Sequence, residues 1–246
     1  MSSPAKLAMP PSEASPTPAS EQAGHAGQAR PGLLLGPPPF LALFVGAKAS
    51  GKSYAISYIC KSYADQFAFI VVFSPTSING FYDFLPSRYV HNDYDPDVMQ
   101  KIIAQQEKYK KAGKNVQVLI IMDDILGSDT IDFEKRKSNE LSKLWAANRH
   151  WDLSIIVVTQ SLKKIPKLLR LNVDYALLFR CMREAYAGLY ETFGHMDRRD
   201  FFEFLEQNTM NYKTILYKAA VANSTDHFRV FTIPPEAMDR KFKLVY

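Results

Sequence analysis

Continuous apolar runs, separated by amphipathic stretches, dominate the chain after residue 39. Such runs, rich in β-branched and aromatic residues, are typical of parallel strands that are buried on both faces. Helical spacing of apolar positions in residues 98–109 and 141–145 predicts helices that pack on these strands. The pattern predicts an α/β domain with a mainly parallel sheet flanked by helices, whose strands are residues 41–45, 67–73, 118–122, 154–159 and 175–179.

The two ends of the chain depart from this pattern. Before Phe40 lie 9 of the 15 prolines and 4 of the 11 glycines, amid alanine and serine. A segment with so few large apolar residues cannot offset the entropy of ordering, so we predict a disordered tail at residues 1–39 and one folded domain at 40–246. The tail would be a spacer or, alternatively, a docking segment. Near the other end, residues 212–217 and 227–233 flank a turn-prone segment and predict a late β-hairpin.

A glycine-rich segment between the first strand and a predicted helix fits the pattern GxxxxGK[ST]. In such a loop, main-chain N–H groups and the positive end of the following helix converge on phosphate groups. The glycines let the backbone approach the phosphates, the lysine reaches the β- and γ-phosphates, and the last hydroxyl ligates Mg²⁺. We therefore predict an ATP and Mg²⁺ site at Gly46, Ala47, Lys48, Ala49, Ser50, Gly51, Lys52 and Ser53.

Two adjacent acids follow the third predicted strand. Ligands bind at the carboxyl ends of strands in open α/β sheets, so Asp123 and Asp124 lie where a metal and a reacting phosphate would be. We predict that Asp123 binds Mg²⁺ through its water shell and that Asp124 is the catalytic base for the attacking water. The alternative is a polar strand end followed by a turn.

The fourth predicted strand ends at Gln160, whose amide can bond a terminal phosphate oxygen and the attacking water together. Arg149 precedes that strand and is a candidate arginine finger acting on a neighbouring subunit. Its alternative role is to stabilise carbonyls at a helix end. Arg180 and Arg183, after the fifth strand, are rival candidates for the finger.

The order of these motifs resembles the additional-strand P-loop ATPases of the FtsK/HerA superfamily. Within it, Arg149-His150 before an apolar strand that ends in Gln160, and the segment with Arg170 and Asp174, are similar to viral genome-packaging ATPases of poxvirus-like and other large DNA viruses. The resemblance covers about residues 40–235. One departure is that much of the superfamily has Asp-Glu where this chain has two aspartates, which weakens the assignment of Asp124 as the base.

The resemblance implies several properties that composition does not. The fourth strand would lie between the first and third, and the subunits would form a homo-oligomeric ring. ATP hydrolysis would move double-stranded DNA into a capsid through a capsid or portal-like partner. The site of action would be the host cytoplasm or nucleus, where virions assemble, or the virion itself.

Charge and composition are compatible with these properties. The 246 residues carry a net charge of +5, far from a histone-like polycation, and the two cysteines cannot build a disulfide framework, as expected of a reduced intracellular chain. No apolar run approaches the roughly 20 residues of a membrane span. DNA would contact one of three basic clusters, which lie at residues 108–114, 135–137 and 163–170. We favour the cluster at 135–137.

Two other functions stay open at this point. The same motor could serve a cellular or mobile-element helicase or a conjugation-type system. The chain could also be a nucleotide-binding scaffold that does not hydrolyse ATP. No guanine-reading Asn-Lys-x-Asp motif is present, which argues against a GTPase.

Overall fold

The computed structural model describes residues 34–125, 139–223, 226–234 and 242–244. Among them it forms eight strands and six α-helices. The strands are β1 Leu41–Val45, β2 Phe69–Phe73, β3 Val90–His91, β4 Val118–Asp123, β5 Leu153–Thr159, β6 Tyr175–Leu178, β7 Lys213–Lys218 and β8 Phe228–Thr232. The helices are α1 Lys52–Ser62, α2 Pro96–Lys111, α3 Asn139–Ala147, α4 Lys167–Leu171, α5 Tyr186–Phe193 and α6 Arg198–Asn208.

All eight strands form a single sheet in the order β3-β2-β4-β5-β1-β6-β7-β8. The pairings from β3 to β6 are parallel, whereas β6, β7 and β8 pair in antiparallel fashion. The α/β class and the late hairpin are thus confirmed, as is the position of the fourth predicted strand, β5, between the first and third. The carboxyl ends of β1, β4, β5 and β6 consequently meet at one edge of the sheet.

Both faces of the sheet are buried, which explains the continuous apolar runs. Alternate residues of β1 belong to different cores: Leu41 and Leu43 pack on the side of α2, α3, α5 and α6, while Ala42 and Phe44 pack on the side of α1. All five β1 residues are buried. A strand with this environment has no solvent-facing position for a polar residue.

The predicted strand limits differ from the observed ones by up to two residues. β2 begins at Phe69 instead of residue 67, and β6 ends one residue early, at Leu178. β3 was missed because a two-residue strand carries no periodic signal. A run of buried aromatic residues before β3, including Tyr82 and Phe84, packs on the α1 side of the sheet.

The residues just before β1 lie against the domain. Leu34 and Leu35 are buried, and the Tyr63 hydroxyl donates a hydrogen bond to the Leu35 carbonyl. Packing therefore starts within the segment assigned to the predicted tail. Residues 1–33 lie outside the described part, and the division of the chain at residues 39 and 40 remains a prediction.

Within the described ranges, none of the helices combines the length and apolar character needed to cross a membrane.

Candidate nucleotide-binding site

The phosphate-binding loop leaves β1 and enters α1, as the motif predicts. Two main-chain hydrogen bonds tie its start to neighbouring strands: Gly46 N–H donates to the Thr159 carbonyl at 3.2 Å and Ala47 N–H donates to the Arg180 carbonyl at 2.8 Å. The loop is thus held by the ends of β5 and β6. These bonds fix its position before any ligand is bound.

Both motif glycines are required by geometry. A Cβ on Gly46 would lie 2.6 Å from the Phe179 Cβ and 2.6 Å from the Ser50 hydroxyl oxygen, closer than packed atoms approach. Gly51 has φ 100°, a left-handed conformation that side chains disfavour, and it immediately precedes α1. Within the same loop Ala49 also has a positive φ, of 57°.

The Lys52 ammonium lies inside the curve of the loop. It donates hydrogen bonds to the carbonyls of Gly46, at 2.7 Å, and Ala47, at 2.8 Å. Burial lowers the pKa of Lys52, while the carboxylates of Asp124 and Asp123 oppose that shift. The lysine is therefore close enough to both acids to interact electrostatically, which brings the glycine-rich loop and the acidic pair into one site.

Asp123 is a buried carboxylate at the end of β4, with 8% of its surface exposed. The Tyr82 hydroxyl donates to its Oδ2 at 2.7 Å and the Ser74 hydroxyl donates to the same atom at 3.4 Å. Burial raises the pKa of Asp123, and these hydrogen bonds and Lys52 partly oppose the rise. Sequence reasoning missed Tyr82 and Ser74, because nothing in the sequence shows that they approach β4.

Asp124 turns out of the strand with φ 56°, so its side chain leaves the direction of Asp123. Its N–H donates to the Val158 carbonyl of β5 at 3.1 Å. The Gln160 side-chain amide donates to Asp124 Oδ2 at 2.5 Å. The structure thus brings together the second acid and the glutamine that follows the next strand.

Arg149 lies at the opposite edge of the sheet from the loop. It belongs to a 3₁₀ turn, Asn148–Trp151, before β5, and it forms an ion pair with Asp174, the residue before β6. Asp174 also accepts a hydrogen bond from Leu41 N–H at 2.8 Å, at the start of β1. Arg149 therefore lies near the start of β1, whereas the loop follows the end of β1. The five residues of β1, at about 3.3 Å each, separate the two by about 16 Å.

The rival arginines lie at the loop edge. The Arg180 carbonyl accepts the hydrogen bond from Ala47 N–H, and Arg180 also lines a cavity beside the loop. The Arg183 side chain is exposed and lies 3.7 Å from Glu206. Next to Arg180, burial raises the pKa of Cys181 to about 11, so its thiol stays protonated near Lys52.

Two of the three basic clusters can be placed. The lysines at 108–114 lie in the last turn of α2 and just after it, at the same edge of the sheet as Arg149. There the Lys110 ammonium donates a hydrogen bond to the His150 carbonyl. Lys163 follows β5 near the loop edge, and the Arg170 guanidinium donates a hydrogen bond to the Thr192 hydroxyl at 3.1 Å. The favoured cluster at 135–137 lies outside the described residues.

The donor set suits a magnesium ion carried by phosphate better than a metal caged by protein. Within residues 34–125 and the other described segments, no three His, Cys, Asp or Glu side chains are grouped as metal ligands. Ser53, in the first turn of α1, and the buried carboxylate of Asp123 are the residues that would hold Mg²⁺. Such sites bind Mg²⁺ through one or two protein groups, water and phosphate oxygens.

Comparison with known proteins places this site in a family. The model of the family described as Poxvirus A32 protein matches residues 34–193, well over half of the chain. The chain belongs to the Poxvirus A32 protein family. An uncharacterized protein of Invertebrate iridescent virus 6 is 30% identical over 185 residues, covering 70% of this chain and 67% of that protein. Another, of Invertebrate iridescent virus 3, is 28% identical over 192 residues, covering 74% and 70%.

Solved structures share the fold at low sequence identity. The genome packaging NTPase B204 from Sulfolobus turreted icosahedral virus 2, in complex with AMPPCP, aligns with a TM-score of 0.56 at 17% identity, covering 78% of this chain and 97% of B204. The conjugation coupling protein TcpA of pCW3 aligns with a TM-score of 0.57 at 14% identity, covering 78% and 59%. These alignments confirm the predicted fold, a P-loop domain with a mainly parallel sheet flanked by helices.

The Poxvirus A32 match ends at Phe193, the last residue of α5. It includes the loop, both acids, Gln160 and Arg149. It excludes α6, β7 and β8, which extend the sheet beyond β6. The motifs that carry the candidate chemistry therefore all lie within the family region.

Proposed function

We propose that this member of the Poxvirus A32 protein family is a magnesium-dependent ATPase that assembles as a ring and drives double-stranded viral DNA into a capsid. The observation that carries the proposal is the convergence of three separate segments. The Gly46 and Asp124 N–H groups donate to the adjacent carbonyls of Thr159 and Val158 at the end of β5, and the Gln160 amide donates to Asp124 Oδ2 at 2.5 Å. Family membership and the fold shared with a viral packaging NTPase support the same conclusion.

The loop would bind the triphosphate. Main-chain N–H groups of the loop and the amino end of α1 face the position of the phosphates. Lys52, whose ammonium donates to the Gly46 and Ala47 carbonyls, would bind the β- and γ-phosphates and neutralise part of their negative charge. Mg²⁺, held by Ser53 and Asp123, would neutralise charge that develops on the phosphate oxygens.

Asp124 and Gln160 would serve the hydrolytic step. The oxygen of a water molecule bonds to the γ-phosphorus while the bond from that phosphorus to the bridging oxygen breaks, and the electron pair stays on ADP. Asp124 accepts the proton of the water, and Gln160 orients the water or the γ-phosphate. Because Gln160 bonds Asp124 directly, loss of the γ-phosphate would change a contact that links β4 and β5.

Movement would follow from contacts made only in the triphosphate state. Arg149 cannot reach the loop of its own chain, so its role as a finger would be exercised on a neighbour. DNA would be held through sequence-independent phosphate contacts, with the 135–137 cluster as the favoured contact. A capsid or portal-like partner and action at virion assembly sites belong to the same proposal.

A conjugation-type motor is the weaker alternative. The likeness to TcpA reflects a shared fold at 14% identity, whereas the family match and the relatives are viral. A scaffold that does not hydrolyse ATP is the other alternative. In a scaffold, the close contact between Asp124 and Gln160 would have no chemical consequence.

The test is the rate of phosphate release by purified protein with Mg²⁺ and ATP, measured with and without double-stranded DNA across a salt series. We expect DNA to stimulate the rate, the stimulation to fall steeply with salt, and Asp124→Asn to abolish turnover while retaining ATP binding. Asn is nearly isosteric with Asp, so Asp124→Asn should fold like the wild type, and its loss of turnover would report on the carboxylate itself. ATP binding without phosphate release in the wild type would refute the ATPase and favour the scaffold.

A further inference from the structure

Two cavities flank the phosphate-binding loop on the side of Tyr212. One, of about 260 Å³, is lined by loop residues from Ala49 to Tyr54 and by Tyr212. The other, of about 250 Å³, is lined by Arg180, by the turn before β7, and again by Ala49, Ser50 and Tyr212. Each alone is smaller than a usual small-molecule site, whereas the pair reaches the roughly 300–1,000 Å³ range of such sites.

Tyr212 separates the two cavities and is half-exposed, with 51% of its surface accessible. Neighbouring Met210 is also exposed, at 47%. An exposed aromatic ring beside a flexible, polarisable thioether is a favourable surface for a flat heterocycle. Other large apolar side chains are exposed too, such as Ile78 and Met182, but Tyr212 and Met210 both line a cavity beside the loop.

The tyrosine is fixed in place before any ligand arrives. Its backbone adopts φ 61°, following Asn211 at φ 53°, so the turn points the ring back toward the loop. The ring contacts the Tyr54 ring edge-on, with 6.3 Å between centroids. The Tyr212 carbonyl accepts a hydrogen bond from Ile233 N–H at 3.4 Å, which ties the turn to the end of β8.

The polarity of the site gives the direction in which a nucleotide would extend. Lys52 and Ser53, the loop residues assigned to the phosphates and the metal, line the first cavity. The second cavity shares Ala49, Ser50 and Tyr212 with the first but is lined by neither Lys52 nor Ser53. A triphosphate whose phosphates lie at Lys52 and Ser53 would therefore project its nucleoside past Tyr212 into the second cavity.

We propose that the Tyr212 ring, assisted by Met210, is the platform on which the nucleobase of a nucleoside triphosphate stacks. This assignment rests on the proposed function, because it requires the loop to bind a triphosphate. The second cavity receives the base, and the first, which Lys52 and Ser53 line, receives the ribose and the phosphates next to it. Stacking on a ring face tolerates different bases, since every base presents a π-face.

The test separates the nucleoside from the phosphates by calorimetric titration with Mg²⁺ and either AMPPCP or inorganic tripolyphosphate. We expect Tyr212→Ala to raise the Kd for AMPPCP about 10-fold, as loss of one stacked base does elsewhere, and to leave the Kd for tripolyphosphate unchanged. Tyr212→Phe keeps the ring and should bind AMPPCP like the wild type. Tyr109→Ala, a partly exposed tyrosine on α2 that lines neither cavity, is the matched control.

Each other result counts against the assignment in a distinct way. If Tyr212→Ala binds AMPPCP as the wild type does, the base lies elsewhere. If it loses AMPPCP and tripolyphosphate equally, the tyrosine supports the loop and does not contact the base. A wild type that binds neither ligand refutes the proposed function itself, whereas a wild type that binds both leaves that function standing whatever Tyr212→Ala shows.

Discussion

Removing the Tyr82 hydroxyl should weaken the fold in a way that depends on pH. In Tyr82→Phe, Asp123 loses its 2.7 Å hydrogen bond and keeps only the Ser74 contact at 3.4 Å. Tyr82 is 1% exposed, so water cannot easily replace the lost donor. A hydrogen bond to a charged group contributes about 1.5–3 kcal/mol, against about 0.5–1.5 kcal/mol for one between neutral groups.

The direction of the pH dependence follows from the pKa of Asp123, which burial raises and the Tyr82 hydrogen bond lowers. A carboxyl whose pKa is higher in the folded than in the unfolded state stabilises the fold most below the unfolded pKa. That contribution is lost as pH rises through the folded pKa. Tyr82→Phe raises the folded pKa further, so its free energy of unfolding should fall short of wild type most at neutral pH and least in acid.

The assay is urea unfolding of wild type and Tyr82→Phe at neutral pH and at acid pH, because a raised pKa makes Asp123 take up its proton in milder acid than a free carboxyl does. The matched control is Tyr63→Phe, which removes an equally buried hydroxyl whose acceptor is the neutral Leu35 carbonyl. We expect the control to cost about 1 kcal/mol at both pH values. A deficit for Tyr82→Phe that is the same at both would refute the charged state of Asp123.

Two further predictions concern the loop and the subunit interface. Gly46→Ala should abolish ATP binding, because its Cβ would lie 2.6 Å from Phe179, and calorimetry that finds normal affinity would show that the loop can shift to accommodate it. Lys52→Ala and Arg149→Ala should each abolish ATPase activity, and a mixture of the two variants should partly recover it. The reason is that a mixed ring contains sites with both an intact loop and an intact arginine from the neighbouring subunit. Phosphate release that stays at background in every mixture would exclude Arg149 as a finger acting between subunits.

The sequence predicts the frame of this protein well for a physical reason. Strands buried on both faces are mostly apolar, so β1, β4 and β5 are visible in the sequence as runs of four or more consecutive apolar residues. The glycine-rich loop is equally visible, because its conformation admits few residue types. Constraints of this kind restrict the residue types of a short segment, so they can be recognised from the sequence.

Contacts between distant segments leave no such trace. The hydrogen bond from Tyr82 to Asp123 joins residues 41 positions apart, and the ion pair of Arg149 and Asp174 joins residues on either side of β5. The turn that aims Tyr212 at the loop depends on two left-handed residues that are not glycine. These features follow from tertiary packing, so they could be found only in the folded structure.

Arg149 and the nucleotide loop lie at opposite edges of one sheet, so a finger role for Arg149 would restrict how copies of this chain could assemble. A two-fold dimer would bring each arginine to the other copy's loop only across one patch that includes both edges of the sheet. A head-to-tail contact needs only one edge from each copy, so that two different patches meet, and repetition of that contact closes as a cycle or continues as a filament. Every member of such a cycle is at once the recipient of one arginine and the donor of another.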